Sequence, residues 1–128
     1  MIYDMSFDWF GNRIAIVSED QKISIYKQID NQWIVDHPKW DTGHQGPIWK
    51  IKWAHPSFGN IIATCSYDKT VIIWEEKKKN HHLKKTWEKK LILSDFNDSV
   101  EDIKFAPSHF DFKLAAVSSD GFASIYDF

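Results

Sequence analysis

The residues of this chain that could do chemistry lie near its middle. His44, Ser66 and Asp68 are the residue types of hydrolytic triads, in which a serine hydroxyl attacks and a histidine moves the proton. Such triads occur with an oxyanion hole or a Gly-x-Ser-x-Gly turn, and neither motif is found in this sequence. The Ser-x-Asp spacing also recurs at two other places, which favours a structural role over a catalytic one.

The sequence contains no metal-binding or cofactor motif. Cys65 is the only cysteine, so neither an internal disulfide nor a cysteine-rich zinc site can form. His81 and His82 are adjacent, and on a strand their side chains would diverge rather than share a metal. We therefore predict no catalytic residues, no metal and no cofactor.

Three segments of the chain repeat one pattern. Each has an aromatic residue, a loop, an apolar run, a Ser-x-Asp turn and a second alternating run that ends on an aromatic. The aspartates of these turns are 48 and then 52 residues apart. Self-similarity at such a period indicates a repeat architecture. The repeated positions are Ser18, Asp20 and Tyr26, then Ser66, Asp68 and Trp74, and finally Ser118, Asp120 and Tyr126.

Each repeat has the sequence character of β-strands. Residues such as Ile23 and Ile25 alternate with polar ones, and Ser119–Gly121 has the composition of a hairpin turn. Gln32–Asp36 and Trp87–Leu93 are candidates for a fourth, outer strand of the first two units. Repeated four-stranded antiparallel units at this period point to propeller blades.

These units divide the chain into three predicted blades. The first covers residues 1–40 and is expected to be truncated at its N-terminus. The second covers residues 41–94 and includes a basic loop over residues 75–90. The third covers residues 95–128 and is expected to lack its outer strand. We therefore predict an all-β, partial propeller of about three four-stranded blades.

The second repeat contains the residues of a buried polar chain. Gly43-His44 precedes Asp68 by 24 residues, so the histidine can reach the carboxylate. A buried carboxylate needs partners, and we expect Asp68 to accept from the ring of His44. We further expect Ser66 to link His44 to the indole of Trp74. The third repeat has a phenylalanine at the histidine position, and in the first repeat this position would precede the first residue.

Charge is unevenly distributed along the chain, whose net charge is −2. Lys77–Lys90 holds seven of the sixteen basic residues and one of the eighteen acidic ones, which leaves nine basic and seventeen acidic residues elsewhere. This segment is a weak candidate for contacts with phosphates. Apart from Trp87 it has no interleaved aromatics, so we interpret it as a solvated loop and do not expect nucleic-acid binding.

Taken together, these motifs resemble WD-repeat propellers. Gly43-His44, Ser66-x-Asp68 and Trp74-Glu75 carry the resemblance. More specifically, residues 53–59 and 65–70 are similar to the small coat propellers that the COPII vesicle coat and the nuclear pore share. Residues 102–109 resemble the Seh-type nucleoporin more than its vesicle-coat relative.

The resemblance implies an open, six-bladed propeller that a helical-solenoid nucleoporin completes with strands of its own. It further implies a scaffold role in the Y-shaped complex of the nuclear pore, in pore assembly and in protein and mRNA transport. In some lineages the same propeller also serves a lysosomal or vacuolar complex. A COPII-type coat subunit and a peptide-reading WD-repeat adaptor remain alternatives.

Three blades cannot close a ring, because propellers have four to eight of them. We therefore expect this chain either to be a fragment of a longer propeller, which we favour, or to receive blades from elsewhere. No run of the sequence approaches the roughly 18–20 apolar residues that span a membrane. We accordingly expect a protein partner and a hetero-oligomer rather than membrane insertion.

Overall fold

A computed structural model of the chain describes residues 1–78, 85–107, 109 and 111–128. In this part of the chain the regular structure is mostly β-strand, with a 3-10 turn at Pro56–Phe58. The tip of the predicted basic loop, with His81 and His82, lies outside the described residues. Within the described residues there is no helix with the length and apolar character needed to cross a membrane.

The first sheet is a four-stranded antiparallel meander. The blade expected to be truncated thus has all four strands, because the missing histidine position belongs to the loop before the first strand and not to the sheet. The last strand is longer than the predicted outer strand at Gln32–Asp36. The strands are β1 (Ile2–Phe7), β2 (Arg13–Ser18), β3 (Lys22–Ile29) and β4 (Gln32–Asp41).

The second and third sheets repeat this meander with four and three strands. The segment Trp87–Leu93 lies in the outer strand of the second sheet, as its sequence suggested. The second sheet contains β5 (Ile48–Trp53), β6 (Ile61–Ser66), β7 (Val71–Lys78) and β8 (Lys85–Leu93). The third contains β9 (Val100–Phe105), β10 (Lys113–Ser118) and β11 (Ala123–Asp127).

The three sheets share one register. In each, the first residue of the inner strand pairs with the serine of the Ser-x-Asp turn, and a bulge follows directly. Equivalent positions in the sequence repeats are therefore equivalent positions in space. The three pairs are Ile2 with Ser18, Ile48 with Ser66, and Val100 with Ser118.

The sheets stack in chain order and bury two apolar clusters between them. We call the side of a blade turned toward the next blade its forward face and the opposite side its backward face. Because side chains alternate along a strand, each blade presents two different apolar rows. The forward face of the first blade consists of Ala15, Val17, Ile23 and Ile25, all fully buried. The backward face of the second blade includes Ile62, Thr64, Ile72 and Trp74.

These features match an all-β, partial propeller, the architecture that the repeat period predicted. Burial between successive sheets supplies the hydrophobic stabilisation, since strands of this length do not bury a core within one sheet. The two sheets at the ends of the stack each have one face that no described residue covers fully. The candidate sites are therefore the polar network inside the second blade and these two open faces.

Candidate functional site: a buried network and two open sheet faces

A chain of hydrogen bonds runs through the second blade from an indole to a carboxylate. The Trp74 indole N–H donates to Thr64 Oγ1 over 3.2 Å, and Thr64 Oγ1 lies 2.9 Å from His44 Nε2. His44 Nδ1 lies 3.0 Å from Asp68 Oδ2. An indole can only donate and a carboxylate only accept, so a neutral imidazole satisfies every group. In that arrangement the Thr64 hydroxyl donates to Nε2, and Nδ1–H donates to Asp68.

The residue that links histidine to tryptophan is Thr64, and the expectation that Ser66 would do so is wrong. Thr64 pairs with Ile72, two residues before Trp74, so the indole reaches it diagonally across the two strands. Ser66 is at the end of its strand, where its hydroxyl donates to the carbonyl of Pro47 over 2.8 Å. Its oxygen also accepts from the backbone N–H of Asp68.

Asp68 is the anionic end of this network. Burial opposes its ionisation, but hydrogen bonds from His44, from the hydroxyl of Thr70 and from the backbone N–H of Gln45 outweigh that effect. Together they hold the pKa of the Asp68 carboxyl well below its usual range. The Thr70 hydroxyl donates over 2.6 Å and the Gln45 N–H over 2.9 Å. The turn that carries Asp68 is thus tied to the loop that carries His44.

The geometry of Thr64, His44 and Asp68 has the order of a hydroxyl, imidazole and carboxylate triad. However, Thr64 is fully buried and His44 is only 3% exposed. A substrate carbonyl cannot reach the Thr64 hydroxyl, which already bonds both the imidazole and the indole. This arrangement favours a structural role for the network.

The turn residues of the other two blades form simpler contacts. In the first blade Ser18 donates to Asp20 over 2.6 Å, and Lys39 pairs with the same carboxylate. In the third blade Ser118 donates to Asp120 in the same way. In these two blades the turn serine bonds the aspartate directly.

Tyr26 and Tyr126, which hold the repeat position of Trp74, also differ from it in their surroundings. Tyr126 donates its hydroxyl to Asp95 over 2.6 Å, and its ring meets Phe96 edge to face. Partial burial and then the bond to this anion raise the pKa of Tyr126 to about 12. Tyr26 lies half-buried on the backward face of the first blade.

The polar contact between the first two blades was not predicted from the sequence. Arg13 of β2 binds Glu76 of β7 through two hydrogen bonds of 3.1 and 2.8 Å, and it binds Asp36 of β4 over 2.6 Å. Its guanidinium also lies over the rings of Trp53 and Trp87. Burial alone would lower the pKa of Arg13, but the two carboxylates raise it. The partners are 23 and 63 residues away, and no spacing pattern connects them.

The remaining candidate groups show no reactive environment. Cys65 is fully buried, and burial raises the pKa of its thiol to about 12. Two of the basic-loop lysines, Lys77 and Lys90, pair with Glu75 at the edge of the sheet. In the described part of the chain, no group of three or more histidine, cysteine and acidic residues could hold a metal.

The open faces are the other feature that could bind a partner. The forward face of the third blade exposes Val117 and Ile125, which are 41% and 72% accessible. The backward face of the first blade exposes Met5, Phe7 and Val35, each about half accessible. Both faces are apolar sheet surfaces, which in a monomer would be a pairing and aggregation hazard.

The fold and the blade register define a partial β-propeller, here represented by three blades. In agreement, the family described as "WD domain, G-beta repeat" matches residues 39–75. Among proteins of this class, the chain is similar in sequence to Seh1-type nucleoporins, as its motifs indicated.

The similarity extends over nearly the whole chain. The chain is 40% identical over 131 residues to nucleoporin SEH1-A of Xenopus laevis. It is also 40% identical over 132 residues to nucleoporin SEH1 of Homo sapiens. It is 39% identical over 132 residues to nucleoporin SEH1 of Danio rerio. Each alignment covers 99% of this chain and 36% of the relative. The chain therefore spans about a third of the length of these curated relatives.

Proposed function

We propose that this chain is a non-enzymatic scaffold subunit of the nuclear pore. In this role it acts in the Y-shaped complex, where a helical-solenoid nucleoporin adds strands to its open propeller. The observation that carries the proposal is the 40% identity to SEH1 nucleoporins over 99% of the chain, on a partial propeller whose end faces are apolar. Apolar sheet faces of this kind are stabilised when another β-sheet packs on them.

The proposed partner binds through shape and burial rather than through a polar site. The exposed side chains of the third blade's forward face, Val117 and Ile125, lie in the rows that the other blades bury. A partner that supplies a blade would cover these side chains as the second blade covers the first. Such a subunit would support pore assembly and, through it, protein and mRNA transport.

Two other roles fit the same fold. A COPII-type coat subunit would use the same open faces, and it differs in cellular location rather than in blade structure. A lysosomal or vacuolar complex would be a second location of the same scaffold. A peptide-reading adaptor would bind its ligand at the central site of a complete ring.

Localisation separates these roles. We expect the chain, tagged at its own gene, to concentrate at the nuclear rim and to co-purify with a helical-solenoid nucleoporin. The substitution Ile125→Lys puts a charge on the open face and should release the protein from the rim. Ile92→Lys, a matched change of an exposed isoleucine on β8, should leave it there. Concentration at endoplasmic-reticulum exit sites would instead assign the chain to the vesicle coat and overturn the proposal.

A further inference from the structure

An aromatic groove lies at the ends of the inner strands, on the side of the stack opposite the Ser-x-Asp turns. Its volume is about 520 Å³, which is within the range of ligand-binding pockets. Its walls come from the loop after β1, from the end of β5 with the loop that follows it, and from the end of β9. The lining residues include Trp9, Trp53, His55, Lys104, Phe105 and Pro107.

The rings of this groove lie at the junctions between consecutive blades and not on the end faces of the stack. Trp9 of the first blade meets His55 of the second edge to face, with 4.5 Å between the ring centroids. Trp53 donates its indole N–H to the carbonyl of Ser6 over 2.8 Å, which joins the same two blades. Phe105 packs on the apolar cluster between the second and third blades. The stacking of the blades therefore builds the groove.

Trp9 is held open to solvent by a well-bonded loop. The Asp8 carboxylate accepts from the backbone N–H groups of Asn12 and Arg13 over 2.9 and 3.1 Å, and the Asp8 carbonyl accepts from Gly11. Gly11 has a φ of +70°, a conformation that glycine adopts without steric cost. Trp9 itself is 68% exposed. Its loop thus presents a large flat apolar surface that needs little further ordering when a ligand binds.

Two hydrogen-bond donors at the groove have no acceptor. His55 Nδ1 accepts from the backbone N–H of Ser57 over 3.1 Å, so the neutral ring carries its proton on Nε2. Among the described residues, neither this Nε2–H nor the indole N–H of Trp9 has a hydrogen-bond partner. Both groups can only donate, so they suit a ligand that offers carbonyl oxygens.

The charges at the groove favour an uncharged ligand. Lys104 and Asp8 supply one charge of each sign to its lining. Lys104 forms no ion pair with a described residue, and Asp8 uses one oxygen for the backbone of its own loop. For a segment with a run of like charges, attraction to one of these groups is offset by repulsion from the other.

We propose that this groove binds a proline-rich segment of a partner protein in the polyproline II conformation. Proline has no backbone N–H, so such a segment offers unpaired carbonyl oxygens to the donors of Trp9 and His55. Its pyrrolidine rings are apolar and pack on flat aromatic walls, which is how proline-rich segments are generally recognised. The segment is uncharged, and it is extended before it binds, so little conformational entropy is lost.

This inference goes beyond the proposed function, because it assigns a second binding surface that is separate from the apolar end faces. Peptide binding is measured on the purified chain, whereas the nuclear pore role is tested by localisation in cells. Failure of one result therefore leaves the other to be judged separately.

The test is calorimetric titration of the purified 128-residue chain with an acetylated and amidated decaproline peptide. We expect a Kd below about 1 mM. This Kd should stay the same between about 0.05 and 0.5 M salt, because an uncharged peptide forms no ion pairs that salt could screen. A peptide of alternating glycine and serine, equal in length, should not bind. A peptide of alternating glutamate and phenylalanine represents the competing occupant and should bind more weakly than decaproline.

Two substitutions assign the binding to the groove. Trp9→Ala removes an aromatic wall and should weaken decaproline binding at least about tenfold. Phe122→Ala is the matched control, since Phe122 is 69% exposed in the turn between β10 and β11, outside the groove, and its loss should leave the Kd unchanged. His55→Phe keeps a ring but removes the Nε2–H donor, so it should weaken binding by about twofold to tenfold.

The fold of each variant is checked by circular dichroism. Trp9→Ala changes an exposed loop residue and remains informative if His55→Phe, which also loses the bond to Ser57, fails to fold. Absence of decaproline binding at millimolar concentration or an equal Kd for Trp9→Ala and wild type would overturn the proposal. Tighter binding of the glutamate–phenylalanine peptide would also overturn it and would assign the groove to an acidic segment.

Discussion

At the scale of single residues, the network around His44 explains why a polar group lies in the middle of an apolar face. Thr64 lies on the backward face of the second blade. The residues at the same position of the first and third blades are Ile16 and Ala116, which are apolar. The Thr64 hydroxyl is tolerated there because the indole of Trp74 and the ring of His44 use it fully. The network thereby joins β6, β7 and the loop before β5 in one blade.

We predict that Thr64→Val destabilises the chain by about 1–3 kcal/mol, because it leaves a buried indole N–H and a ring nitrogen without partners. Thr86→Val is the matched control, since the Thr86 hydroxyl is buried without a hydrogen bond. Losing that hydroxyl should be neutral or slightly stabilising. Urea unfolding followed by tryptophan fluorescence measures both, and equal effects of the two changes would contradict this account of the network.

Asp68 should make the free energy of unfolding depend on pH in the acidic range. Its pKa is lowered in the folded chain, whereas the unfolded value is about 3.9. Below about pH 4 the unfolded chain therefore takes up a proton that the folded chain does not. The stabilisation is complete above that pH and is lost as the pH falls toward the folded pKa.

We therefore expect Asp68→Asn to be less stable than wild type at pH 7 but to lose less stability between pH 5 and pH 3. Thermal unfolding across this range measures the difference. Asp30→Asn, in the exposed turn between β3 and β4, is the control and should follow the wild-type profile. A wild-type slope in Asp68→Asn would rule out this carboxylate as the source of acid sensitivity.

At the scale of elements, the contact between the first two blades combines apolar packing with one ion cluster. The side chain of Glu76 is 3% exposed and that of Arg13 is 15% exposed, so their charges are largely removed from water. Around them Trp40 stacks on Trp87, which in turn meets Trp53 edge to face. The cluster fixes how β2 and β4 of one blade meet β7 and β8 of the next.

We predict that Arg13→Met destabilises the chain by about 3–5 kcal/mol, because it leaves the buried Glu76 carboxylate without its cation. Adding Glu76→Gln should restore part of this loss, as a double-mutant cycle would measure. Lys113→Met is the comparison, since Lys113 holds the place of Arg13 in the third blade but pairs with the exposed Asp127. That change should cost much less than Arg13→Met, because the Lys113–Asp127 pair is open to water. Similar losses for Arg13→Met and Lys113→Met would contradict the role given to burial.

The strands were predictable from the sequence, but several contacts between them were not. The repeats of Ser-x-Asp and of the aromatic six residues later define the register, because a hairpin turn fixes which residues pair. That register also places Thr64 diagonal to Trp74, so this contact could have been found by counting pairs. The pairing of Arg13 with Glu76 depends on how two sheets stack, and no local pattern encodes that geometry.

At the scale of the whole molecule, the three blades form one continuous stack with unlike ends. The forward face of the third blade and the backward face of the first remain uncovered, whereas all equivalent faces between them are buried. The mean hydropathy and the net charge of −2 average over these surfaces and describe neither of them. The repeat period predicted the number of blades, whereas the side-chain contacts between stacked blades required the structure.

The central claim is that the open face of the third blade is covered in the working assembly, and thiol labelling tests it most directly. Cys65 is buried and its thiol pKa is raised to about 12, so the native chain should react with maleimide only slowly. A single Ile125→Cys substitution therefore reports on the face, and Glu88→Cys on the exposed outer strand β8 is the control. In the native assembly isolated from cells, we predict that Cys at position 125 labels at least tenfold more slowly than Cys at position 88. Equal labelling rates would show an uncovered face and contradict the account.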